Sequence, residues 1–112
     1  MPNALIKSRN KAFNHQQGRC YYCEKPIWLT DPEIFSTKHN IPRKAVKLLR
    51  CTAEHLIAKQ DGGKDVESNI AAACSFCNQK RHQRKKPKEP IAYKQFVTNR
   101  LASGRWHLAV IH

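Results

Sequence analysis

Four of the chain's five cysteines fall into two matched pairs, Cys20-Tyr21-Tyr22-Cys23 and Cys74-Ser75-Phe76-Cys77. Two residues between thiols let both sulfurs of a pair reach one tetrahedral ion without strain, and two pairs complete a closed four-sulfur site suited to Zn2+. A closed site has no open coordination position, so it holds structure and does no chemistry. Here it would tie the N-terminal segment to the middle of the chain across 50 intervening residues. The competing readings are unligated buried thiols and a redox Cys-x-x-Cys. Cys51, left over, is expected to be a small buried apolar residue.

A second set of residues carries different chemistry. Glu54-His55 is followed by Asp61-Gly62-Gly63, then Asn69, then Asn78 directly after Cys77. Hydrolysing a phosphodiester needs an activated water, relief of negative charge at phosphorus and help for the departing alkoxide. A neutral His can take the water proton near pH 7. A divalent ion can stabilise charge on the phosphate and the leaving oxygen. Oxygen ligands from a carboxylate and an amide suit a hard ion such as Mg2+ or Mn2+. A Cys-rich site cannot do that work, so two distinct metal sites are implied.

The ordered set resembles the HNH nuclease family, whose pattern is an acidic residue and His, a glycine pair, an Asn, and a Cys-x-x-Cys followed by His or Asn. Gly62 lies seven residues after His55, Asn69 fourteen after, and Asn78 a further nine on. The resemblance covers residues 20–82. It implies His55 as general base, Glu54 and Asn78 as holders of the catalytic metal, and Asn69 as the residue that fixes the loop and so the base. Departures are Glu54 where Asp is commoner, Asn78 as the third letter (an HNN variant), and Ala58 where Pro is frequent. Arg81 matches a position that is usually Lys. His82, five residues beyond Cys77, falls outside the motif and reads as a DNA-facing or surface residue.

These residues need elements to position them. Residues 4–17 read as a helix stopped by Gly18, and the first Cys pair as a tight knuckle. Residues 30–40, with Pro32, read as loop or short helix, and 41–49 as a short helix opened by Pro42. Residues 50–57 read as a strand, 58–68 as a loop around the glycine pair, and 69–73 as a second strand. The second Cys pair turns the chain into a helix through about Lys85, ended by Pro87 and Pro90. A last helix is expected at about 91–101 and a terminal strand at 106–111. The fold class is therefore α+β: one domain over 1–112, with a small ββα-metal core, a four-cysteine structural zinc knuckle and flanking helices.

Charge points to the partner. Lys and Arg number 21 against 8 Asp and Glu, a formal net charge of +13. Such an excess favours a polyanion, with nucleic acid ahead of an anionic membrane surface. Lys80, Arg81, Arg84, Lys85, Lys86 and Lys88 crowd the central helix and its exit, where they can neutralise phosphates and bring the scissile one to the metal. Arg43, Lys44, Lys47 and Arg50 form a second, weaker cluster. No apolar run approaches membrane-spanning length. Residues 1–17 carry Lys7, Arg9 and Lys11 without the apolar stretch of a secretory signal, so a reducing cytoplasm, prokaryotic or of a phage host, is expected. The expected function is metal-dependent hydrolysis of DNA, in the setting of restriction, homing or phage packaging. Sequence specificity is expected from a homodimer or a protein partner, since spacing alone encodes no base readout. The alternative is a zinc-stapled nucleic-acid-binding module without catalysis.

Overall fold

The computed structural model describes residues 2–107. Its centre is a hairpin of two short strands, β1 (Cys51–His55) and β2 (Ile70–Cys74), paired antiparallel with Cys51 opposite Cys74 and His55 opposite Ile70. The pairing leaves the thiols at one end of the hairpin and the Glu54-His55 pair toward the other. Every residue of β2 is buried. Its run Ala71-Ala72-Ala73 has poor strand propensity, yet small side chains suit a strand that helices approach closely.

Helix α1 (Asn3–His15) lies against the hairpin, slightly shorter than expected. Just past its end, Gln16 completes the edge of β2 with its side-chain amide. Nε2 donates to Ala72 O at 2.8 Å, and Oε1 accepts from Ala72 N at 3.0 Å. The polar segment after the knuckle folds as α2 (Pro32–His39). Asp31 caps it by accepting the Ile34 N–H, and Pro32 sits in its first turn, where a proline starts a helix rather than breaking one. A short α3 (Arg43–Val46) then runs through a tight turn, Lys47–Leu49, into β1.

After β2 the chain enters α4 (Ser75–His82) and later α5 (Pro90–Ala102). Helix α4 ends at His82, short of the expected Lys85. Beyond it the chain bends back so that Lys88 O can accept from Arg81 Nε at 3.0 Å. A residue before proline avoids helical backbone, and Lys86 precedes Pro87. The core joins Tyr22, Ile27, Leu49, Cys51, Ala72, Ala73, Tyr93 and Val97. Of the expected terminal strand, Trp106 and His107 lie outside any strand and 108–111 fall outside the described residues. No described helix is long and apolar enough to cross a membrane.

Candidate active site and metal centre

The two Cys pairs meet. Cys20, Cys23, Cys74 and Cys77 are buried, with their Sγ atoms all within 4.8 Å of one another. Cys23 Sγ and Cys74 Sγ stand 3.9 Å apart. A tetrahedron with metal–sulfur bonds of about 2.3 Å has edges of about 3.8 Å, so the cluster fits one ion. The surroundings favour thiolates. Cys20 Sγ accepts from the Tyr22 and Cys74 N–H groups, Cys74 Sγ from Cys77 N, and Cys77 Sγ from Trp106 Nε1. Cys74 is also the N-cap of α4, where the helix dipole favours negative charge. Hydrogen bonds from Cys20, Cys74 and Cys77 hold the Cys23 thiol far below its usual value, while burial pushes Cys77 up. Four close thiols without a cation can share only limited negative charge, and a metal ion removes that conflict. Cys51 lies outside the cluster, and burial pushes its thiol up to about 12, so it behaves as the small inert residue expected.

At the other end of the hairpin, α4 runs alongside β1. Four residues of helix rise about 6 Å and two of strand about 6.6 Å, so Asn78 and His82 step in register with Thr52 and Glu54. Asn78 Nδ2 donates to Thr52 Oγ1 at 3.0 Å and Ala53 O at 3.3 Å, leaving Oδ1 without a protein donor among the described residues. His82 Nε2 lies 2.7 Å from Glu54 Oε1.

Glu54 is 1% exposed, and its second oxygen, Oε2, accepts from Tyr22 OH at 2.8 Å and Arg81 Nη1 at 3.0 Å. Burial first, then the charge of Glu54, holds the Tyr22 phenol well above its usual value, so it remains a proton donor. One carboxylate oxygen is thus fixed by the protein and the other faces His82. Two ligands on an octahedral ion with bonds of about 2.1 Å stand about 3.0 Å apart, so a small widening of the Glu54–His82 contact admits a metal.

His55 ends β1. Its Nε2 lies 2.6 Å from Asp65 Oδ1, and Lys59 Nζ is 3.5 Å from the same oxygen. The hydrogen bond from His55 keeps the Asp65 carboxyl below its usual value, with Lys59 adding to the effect. Asn69 closes the loop that carries both. Its Oδ1 accepts Ile57 N at 2.8 Å, and its Nδ2 donates to Ile57 O and Lys64 O. Gly63 is obligatory there, because a Cβ would lie 1.7 Å from Ile57 O.

Two placements differ from the sequence expectation, and a third adds to it. His82 is exposed, as expected, but its Nε2 also meets Glu54; the signal for that contact is the four-residue step from Asn78, which puts both on one helix face. Arg81 is buried at 3% exposure, with its guanidinium turned onto Glu54, His55 O, Leu56 O and Lys88 O, so it braces the site instead of meeting phosphate. Lys80 is two residues from both Asn78 and His82, about 200° around the helix, and so faces away from them. Lys85 and Lys86 are exposed beside the His55 loop, where Gln60 Nε2 donates to Lys85 O at 2.9 Å. Asp65 and Tyr22 carried no sequence signal beyond an acid after the glycine pair and an aromatic inside the knuckle.

A two-stranded hairpin followed by a helix, with a metal-binding thiol cluster at one end and a carboxylate–imidazole group toward the other, defines a ββα-metal protein. A family model for the HNH endonuclease matches residues 20–84, and the chain belongs to that family, which is one of nucleases and implies contact with nucleic acid. No curated protein and no solved structure matches the chain.

Proposed function

We propose that the chain is an endonuclease that hydrolyses DNA phosphodiesters, with His55 as general base, a catalytic Mg2+ or Mn2+, and Zn2+ in the thiol cluster. The observation that carries the reading is the junction of β1 and α4. There Glu54, in contact with His82, and His55, in contact with Asp65, are consecutive residues at the end of one strand.

Asp65 fixes the imidazole so that Nε2 keeps its proton and Nδ1 is left to accept one from water. Asn69 holds the loop backbone that carries Asp65. Glu54 Oε1, Asn78 Oδ1 and His82 Nε2 are the donors that would hold the catalytic ion. Such an ion, when bound, supplies charge stabilisation at the phosphate and the leaving oxygen. Tyr22 and Arg81 hold Glu54 Oε2 and so aim Oε1. Lys85 and Lys86, beside the loop, are the cations best placed to draw the strand toward His55. Arg81 has no such role.

The test is plasmid nicking by the purified protein with and without added Mg2+ or Mn2+. Metal-dependent conversion of supercoiled to open-circular plasmid is expected. Binding without cleavage in either ion would favour the non-catalytic binding module instead. Two variants refine it. His82→Ala is expected to fold and to raise the Mg2+ concentration needed for half-maximal cleavage by at least about tenfold, with much of the rate recovered at saturation. An unchanged metal requirement would remove His82 from the ligand set. Asp65→Asn is expected to lower kcat on the order of 100-fold with little change in KM, because it keeps the shape but frees the wrong tautomer. Asp65→Glu should restore part of the rate, and imidazole nitrogen shifts should show His55 losing its single tautomer in Asp65→Asn. Retention of that tautomer would leave Asp65 as a loop residue only.

A further inference from the structure

On the far side of α4 from Asn78, the groove between α4 and α5 has a volume of about 420 Å3. That lies within the roughly 300–1,000 Å3 of small-ligand sites. Its walls combine two features that a solvated surface does not need together. One is a run of rings: Trp106 meets Phe76 edge-on at 5.0 Å and Phe96 at 5.8 Å. The other is cationic: Lys80 stands 5.5 Å from the Phe76 ring centre, and Arg84 and Arg100 stand 5.2 and 5.7 Å from that of Phe96. Arg105 adds a further cation at the rim.

None of Lys80, Arg84, Arg100 or Arg105 pairs with a carboxylate among the described residues. Arg100 Nε is buried without a hydrogen-bond partner. The helix dipole accounts for Arg100, in the last turn of α5, but not for cations contributed from α4 and from beyond α5. Like charges gathered on an aromatic wall favour an anion that also has a flat apolar face.

We propose that this groove binds an unpaired nucleotide of a single nucleic-acid strand, its phosphates on the arginines and its base against Phe96 and Trp106. Bases inside a duplex are stacked and paired, and cannot enter a groove of this size. Stacking on aromatic side chains beside a cationic track is how sequence-tolerant single-strand sites work. Lying on the opposite face of α4 from Asn78 and His82, the groove does not hold the scissile phosphate. It takes a strand segment that passes around the helix. The inference rests on the proposed function only for the nature of the polyanion, and binding can be read without cleavage.

The test uses the full chain without added divalent ion, a fluorescently labelled oligothymidylate, and a blunt duplex of the same length. Arg100→Ala/Arg105→Ala is compared with Lys7→Ala/Lys38→Ala, which removes the same charge elsewhere. Unchanged circular dichroism and zinc content verify folding, and Phe96→Leu, with no charge change, provides a second variant. Both groove variants are expected to weaken the single strand by about tenfold and to abolish its quenching of tryptophan emission. The double arginine variant should also lower the log–log salt slope by about 1.4, the value for two phosphate contacts on a single strand. Duplex affinity should change no more than in the lysine control. An equal loss in the lysine control, an equal loss for duplex, or undiminished single-strand binding would overturn the proposal. So would equal competition by tripolyphosphate, which offers phosphates without a base. Plasmid nicking is measured separately: its absence with the groove binding intact would overturn the nuclease reading alone.

Discussion

Cys23→Ser is expected to leave a chain with no cooperative unfolding transition, and stripping the wild-type protein with a strong chelator is expected to give the same result. The four ligand thiols are at most 5% exposed and sit where β1, β2, α4 and the knuckle converge. Without an ion, that convergence becomes a set of close, buried, partly charged sulfurs. Binding of a structural zinc contributes about 10–16 kcal/mol in small zinc domains near neutral pH. Whole domains are stable by only about 5–15 kcal/mol. An ion in this cluster would therefore contribute on the scale of the entire folding free energy. Its loss should also release Trp106, whose indole N–H is bonded to Cys77 Sγ at 3.3 Å. Elemental analysis should find one zinc per folded chain. Thermal melts followed by circular dichroism should show the transition vanish with the metal and return on adding Zn2+. A metal-free chain that melts cooperatively at the wild-type temperature would remove the knuckle from the account of stability.

The ββα core was legible because its signals are local. A Cys-x-x-Cys pair states its own geometry, and the order of strand, glycine loop, strand and helix follows from composition along the chain. Placing Asn78 and His82 on one face, with Lys80 on the other, needs only the helical period. Composition reads the cations of residues 80–88 as one cluster, whereas the helical period separates Lys80 from the face of Asn78 and His82. Arg81 was less accessible. Its burial depends on the backbone returning at Lys88 and on carbonyls from the end of β1, none of which is marked by residue type. The His55–Asp65 contact was hidden for a similar reason. It joins residues ten apart through a loop whose path is set by Asn69 and by the steric demand at Gly63. The cations of the α4–α5 groove come as two pairs, Lys80 with Arg84 and Arg100 with Arg105, separated by 16 residues in sequence, and only the packing of two helices gathers them.

His55→Ala is expected to produce the largest catalytic loss of any single change, and to leave the molecule otherwise intact. The side chain is partly exposed and makes one hydrogen bond, to Asp65, so its removal should disturb neither the thiol cluster nor the buried group of Glu54, Tyr22 and Arg81. Loss of a general base typically lowers the rate on the order of 100- to 10,000-fold. The contrast with Asn78→Ala separates base from ligand. Removing a ligand weakens a site that mass action can still fill, so Asn78→Ala should recover part of its activity at high Mg2+ or Mn2+. No metal concentration replaces a missing proton acceptor, so His55→Ala should stay slow throughout. Asn78→His should retain activity and shift preference toward softer ions such as Ni2+ or Zn2+, because imidazole suits those ions better than an amide oxygen does. Plasmid nicking against metal concentration, with circular dichroism and zinc content verified for each variant, reads all three. Near-normal cleavage by folded His55→Ala would move the base elsewhere. Recovery of His55→Ala by metal alone would make His55 a ligand, with Asp65 then positioning that ligand instead of a base.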